Sequence, residues 1–170
     1  MAKSRWMWWL LPALAVGGWL WGRDRGVEGD RVENQLWLAA LPKSDRDMVD
    51  HLVLIDHERG RFGVGGRSST WRHEVEIFKW AREQDQLMRL YPQTRKLVKG
   101  KVRAWSCKGD APRPFDLCLE IAEGGATRRY YSREEWVVQP GSVAESLEAI
   151  ARETPELAAV IEPLDQVEVE

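Results

Sequence analysis

Two cysteines, three histidines and one glycine-rich run are the residues of this 170-residue chain whose types could do chemistry. Cys107 and Cys118 stand eleven positions apart around a loop, KGDAPRP, that holds one Gly and two Pro, so they suit a cross-strand staple. Zinc clusters usually start from a C-x-x-C pair, which this sequence lacks. In an oxidising compartment the pair reads as a disulfide, and in a reducing one as two buried thiols. Of the histidines, His51 and His57 share a parity, but six strand residues hold them about 20 Å apart, too far to chelate one ion. That leaves His57 and His73, with Asp56 or Glu58, as the metal candidates, against the plainer reading of turn and strand-end residues, so no metal site is called for. The run Gly60 to Gly66 (GRFGVGG) resembles a phosphate loop only superficially, because it lacks the Lys-Ser/Thr that touches phosphate and Mg²⁺ and opens no helix. Ser68 and Ser69 sit on no Gly-x-Ser-x-Gly elbow. No catalytic motif and no cofactor signature emerges, so the chain does not read as an enzyme.

The most distinctive segment carries an address. The first twenty-two residues hold five of the ten Trp and no acid, with one uncharged run, WMWWLLPALAVGGWLWG, between Lys3/Arg5 and Arg23/Arg25. Trp6, Trp8 and Trp9 lie at one end and Trp19 and Trp21 at the other, as membrane-interface anchors do at the headgroup level. Seventeen helical residues span about 25 Å, a little short of a hydrocarbon core but within what local thinning accommodates. Residues 1–22 thus read as a transmembrane helix, with a cleaved signal ending near Ala13-Leu-Ala15 as the competitor. The slight basic bias of the amino end favours an inside N-terminus, which places the remainder in the periplasm or at the cell exterior.

The elements that would position the cysteines and histidines come next. Residues 23–33 (RDRGVEGDRVE) form a charged juxtamembrane linker. From 34 to 141 the chain reads as one β-rich domain, and 142–170 as an acidic helical segment. Residues 23–141 carry 22 Lys+Arg against 19 Asp+Glu, whereas 142–170 carry one Arg against eight acids. The acidic end is a solvated helix and tail, or one that docks on a basic body or partner. Asn34 to Leu41 leans towards helix, and Ser44 with Asp47 resembles the cap of a single turn. About seven short strands follow at roughly ten-residue spacing: 51–56, 61–69, 71–82, 86–91, 97–107, 115–122 and 126–132. In the third, Val75 and Ile77 change parity to Phe78 and Trp80, which predicts a bulge or an edge-to-core switch near Ile77 and Phe78. Pairing Ala104 with Ile121 would set Cys107 opposite Cys118 on one face of a hairpin. Ser132 with Glu135 and Ser142 with Glu145 look like capping boxes, the second ahead of a helix over 143–152, and Pro155 can start another. The fold class is α+β, dominated by an antiparallel meander with C-terminal helices.

That meander, the Gly66-Arg-Ser-Ser-Thr-Trp71 element and the C-terminal helix resemble small lipocalin-like barrels over residues 51–152. The resemblance implies a barrel interior able to take a small apolar ligand, and no catalytic residues.

Arg128, Arg129, Tyr130 and Tyr131, with Lys99, Lys101 and Arg103, could form a basic aromatic face for anionic headgroups or an acidic partner, unless they are simply solvated strand positions. Nucleic acid is a poor fit for a tethered chain of net charge −2. The functional expectation is a single-pass protein of the inner (plasma) membrane, held in the lipid bilayer by its N-terminal helix. Its β-domain acts as an interaction or scaffold component of an envelope assembly through a protein partner; a lipocalin-like binder of a small apolar ligand is the alternative.

Overall fold

The computed structural model describes residues 32–165, and the Trp belt at 6–21 lies outside them. Eight antiparallel strands follow one another around a closed barrel: β1 (Leu36–Leu38), β2 (Val49–His57), β3 (Gly60–Ser68), β4 (His73–Glu83), β5 (Gln86–Tyr91), β6 (Lys96–Ser106), β7 (Leu117–Glu123) and β8 (Ala126–Ser132). Each pairs with its sequence neighbour, and Leu38 of β1 meets Tyr131 of β8 to close the ring. Glu123 pairs with Ala126 across Gly124 and Gly125, both at positive φ (56° and 83°), the conformation a two-residue hairpin turn requires. Two helices, α1 (Val143–Glu153) and α2 (Ala158–Asp165), follow, with a 3-10 turn at Pro155–Leu157 between them.

Alternation along the strands sorts the apolar residues into two cores. The barrel interior holds Trp37, Leu52, Leu54, Phe78, Trp80 and Leu119 among others, all buried. The opposite parity of β1 to β3, with Leu36, Leu38, Val49, Val53, Ile55 and Val64, faces out under the helices, where Leu147, Ile150, Leu157, Val160, Ile161 and Leu164 form the matching apolar stripe. β2 is therefore apolar on both faces because both are covered. Trp136, fully buried, joins barrel to helices and meets Phe115 edge-on at 5.8 Å. The two helices are thus amphipathic: their apolar side completes the second core, while Glu145, Glu148, Glu153, Glu156 and Glu162 stay exposed.

Several expectations are refined or change. The 34–41 run is the short strand β1 and not a helix, because Trp37 fills the interior while Leu36 and Leu38 face the helices; the barrel's need for a closing strand decided a run too short to decide itself. Ser44 and Asp47 form only a turn, with the Ser44 hydroxyl donating to Asp47 at 3.0 Å, and Ser142 makes no side-chain cap although α1 starts after it. Of the two readings of the parity change in β4, a bulge or an edge-to-core switch, the structure has the switch: the register of β4 against β3 runs unbroken from Phe62↔Lys79 to Ser68↔His73. Its parity change arises because Val75 packs outside, near the helices, while Phe78 and Trp80 point inside. The β6–β7 hairpin is shifted by two residues, with Ala104 opposite Leu119 and Trp105 opposite Cys118. The shift preserves every side chain's face, so it is invisible to apolar patterning.

Candidate functional site

Cys107 follows the last residue of β6, and its N–H donates to the Asp116 carbonyl at 2.8 Å, so Asp116 and not Cys118 is its cross-strand neighbour. The two cysteines nevertheless share the outer face and lie at disulfide distance, with Cα atoms 5.8 Å apart and both side chains buried. They tie together the end of the barrel from which the β6–β7 loop emerges.

The strand register separates the other candidates. His57 pairs with Gly60 at one end of β3, and His73 with Ser68 at the other. Eight strand residues, about 27 Å, therefore hold His57 and His73 at opposite rims, and they cannot share an ion. Among the described residues no group of three or more His, Cys, Asp or Glu is arranged to hold a metal. His51 is buried against the helix-covered core, its Nδ1 lies 3.3 Å from the Val49 carbonyl, and its Nε2 has no hydrogen-bond partner among the described residues. Burial pushes its pKa below the ordinary histidine value, with nearby His73 adding in the same direction and Val49 and Asp50 opposing. The glycine-rich run serves packing: a Cβ at Gly63 would sit 2.4 Å from the Phe78 ring, and one at Gly66 1.9 Å from the Glu74 carbonyl oxygen.

Buried side chains, Trp37, Leu54, Phe78, Trp80 and Leu119 among them, project into the interior where the barrel resemblance would place an apolar ligand. One mouth is closed by Val32, whose carbonyl accepts the Trp37 indole N–H at 3.0 Å; the Trp80 indole donates to Phe62 at 2.9 Å, with Arg61 stacked on its ring. The other mouth is polar: Asp50 pairs with Arg67 at 2.9 Å, Arg89 with Glu123, and Arg89 lies over Phe78. Arg128 and Tyr130 have the interior parity, whereas Lys99, Lys101, Arg103, Arg129 and Tyr131 face out. The expected basic face is therefore divided between the two sides of the sheet. Outside, Glu120 bridges Arg103 (3.2 Å) and Arg129 (2.5 Å), which holds its carboxyl below the usual range.

Trp71 has the most conspicuous surface position. It is 77% exposed, on the loop joining β3 to β4. The loop is tied in place: Ser69 Oγ accepts the N–H groups of Trp71 (3.3 Å) and Arg72 (3.2 Å), Ser69 N–H donates to the Arg72 carbonyl (2.9 Å), and Thr70 N–H donates to Asp45 (3.2 Å). The Asp45 loop is itself braced by Asp47, whose carboxyl is held low by the Lys43 N–H and the Ser44 hydroxyl. Trp71, Arg46, Met48 and Arg72 line an open cleft of about 570 Å³. Sequence reasoning put Trp71 on a strand and missed this role; the signal was Ser68-Ser-Thr, turn chemistry directly before it.

No helix among the described residues is long and apolar enough to cross a membrane. No family model, no curated protein and no solved structure matches the chain. The fold and the loop just described define the class: an eight-stranded antiparallel barrel with an apolar interior, a helical flank and an exposed aromatic on a hydrogen-bonded loop.

Proposed function

We propose that the chain is a single-pass membrane protein whose barrel works outside the cytoplasm as an interaction or scaffold component of an envelope assembly. The observation that carries the reading is Trp71: a large exposed aromatic in an open cleft that Arg46 and Arg72 also line, the composition of an interface hot spot. Holding so much apolar surface in water is unfavourable unless a partner covers it. The chain enters the barrel at Val32, by the ends of β2 and β4, where Asn34 N–H donates to Leu54 and Glu33 lies 4.0 Å from Arg82. Trp71 is on the opposite rim. An anchor at residues 6–22 would leave that rim facing away from the point of attachment. The cysteine pair at disulfide distance supports an oxidising location.

Two measurements on intact cells test it. A membrane-impermeant thiol reagent should label the full-length protein in the membrane fraction only after reduction. A photo-crosslinking residue at position 71 should trap a discrete protein adduct that one at Arg129 does not. Thiols that react only after lysis, without reduction, would overturn the location; identical adducts from both positions would overturn the Trp71 interface.

A further inference from the structure

One side of the barrel keeps apolar residues in the open. Phe78 and Trp80 of β4, Leu87 of β5 and Val102 of β6 point inside, so Ile77, Lys79, Met88, Leu90, Leu97 and Lys99 point out. The register sets Lys79, Leu90 and Leu97 in one row across the three strands, with Met88 beside Lys99 in the next. Ile77 is 38% exposed, Leu90 41% and Leu97 55%, so an uncovered apolar strip runs between two lysines. Among the described residues no carboxylate lies within ion-pair distance of Lys79 or Lys99, nor of Arg95 and Lys96 where the adjoining turn ends. The acids of this wall stand elsewhere: Asp85 faces Lys101, Glu120 bridges Arg103 and Arg129, and Glu83 lies at the far end of the β4–β5 hairpin. The other side of the molecule has the reverse character. In a ring of eight, β5 and β6 stand across from β1 and β2, which the helices cover. Those helices and the turn between them expose Glu145, Glu148, Glu153, Glu156 and Glu162 against Arg152 alone. The domain is thus oppositely charged on two sides, and the bare apolar strip belongs to the basic one.

We propose that the outer wall of β4 to β6 lies on an anionic phospholipid bilayer, with Ile77, Leu90 and Leu97 among the headgroups and Lys79 and Lys99 against the lipid phosphates. The wall of a closed barrel is convex, so its side chains protrude and suit a headgroup layer that yields around them. Lysine stems add apolar contact while the ammonium reaches the phosphates. Burial of the strip and attraction to anionic lipid act together, and the acidic helices, on the far side, are held away from the surface. The proposal rests on the membrane reading in one respect, that residues 6–22 bring the domain to the bilayer. Residues 23–31 span up to about 30 Å, which lets a barrel entered at Val32 lie on its side.

The test places the full chain in nanodiscs of phosphatidylcholine alone, or with about a third phosphatidylglycerol, each carrying a gadolinium-chelating headgroup lipid, and reads methyl NMR relaxation. The methyls of Ile77, Leu90 and Leu97 should broaden in the anionic discs at least about tenfold more than in the neutral ones. The excess should vanish in about 1 M salt, where the screening length is about 3 Å. Methyls of Leu147 and Ile150, beneath the acidic helices, should not broaden. The exposed double change Lys79→Glu/Lys99→Glu, whose folding the same spectrum checks, should remove the difference between the discs. Equal broadening in both discs, an unaffected double variant, or broadening strongest at Leu147 and Ile150 would overturn the proposal. Shifts of Ile77, Leu90 and Leu97 that follow protein concentration without lipid would mark a second copy of the chain as the occupant and also overturn it. A chain that leaves neutral discs but stays on anionic ones would refute the anchor and keep the wall. One held by both without broadening at Leu90 and Leu97 would refute the wall and keep the anchor, and one held by neither would refute both.

Discussion

Breaking the Cys107–Cys118 link should destabilise the domain by an amount its position in the chain dictates. The pair closes a loop of about twelve residues, for which the chain-entropy relation gives about 3 kcal/mol at 25 °C, through the freedom the unfolded chain regains. The loop is short, and a longer one would have contributed more. For a folded unit of about 130 residues the unfolding entropy near the midpoint is about 0.28 kcal/mol per kelvin, so the melting temperature should fall by about 10 °C. The assay is thermal melting followed by circular dichroism on the full chain in detergent, oxidised and reduced, beside Cys107→Ser, Cys118→Ser and the double variant. Reduction breaks the S–S bond and adds a hydrogen to each sulfur while keeping both side chains, so it comes nearest to isolating the cross-link; each variant adds the loss of one buried sulfur, and the double of two. The two single variants and the double should all melt below the oxidised chain by at least the reduction effect. A reduced protein that melts with the oxidised one would refute the reasoning, since it would mean that the unfolded hairpin already holds these residues together.

Other predictions follow from packing and charge. Phe78→Ala empties the middle of the barrel and should cost about 3–5 kcal/mol in urea denaturation. Gly66→Ala drives a methyl into the Glu74 carbonyl, backbone against backbone, and should cost more than the 1–3 kcal/mol usual for overpacking, with Gly60→Ala as a control in open space subject only to its positive-φ strain. His51 has its pKa lowered by burial, so the unfolded chain binds the extra proton first; stability is fully present above the unfolded value near 6.5 and falls as pH drops towards the folded one. His51→Gln should flatten the difference in urea midpoint between pH 7.5 and pH 5, and an unchanged difference would remove His51 as its source. Glu120→Gln, at an exposed site between two arginines, should shift stability by less than about 1 kcal/mol at moderate salt.

Strands β2 to β8 were legible in the sequence because short runs rich in apolar, β-branched and aromatic residues are separated by turn residues at about ten-residue spacing, a pattern that survives a two-residue error in register. The pairing of Cys107 with Cys118 was legible for the same reason: both keep the outer face in either register. β1 was not, since Gln35 to Leu41 is apolar on every side and only its two neighbours make it a strand. The metal candidates His57 and His73 looked compatible because sequence proximity says nothing of which rim a hairpin end occupies. The exposure of Trp71 was also out of reach, since it depends on a loop tied to Asp45 from another part of the chain.

The sequence alone thus determined an antiparallel meander, a helical end, a cysteine pair on one face and a Trp-flanked apolar segment at residues 6–22, all properties of local period and composition. Only the tertiary structure decided closure of the ring, which side chains enter the interior, the covering of β1 to β3 by the acidic helices, and which residues were left exposed. The physical reason is that periodicity fixes the face a side chain takes, whereas closure, burial and partnership depend on contacts between residues far apart in the chain.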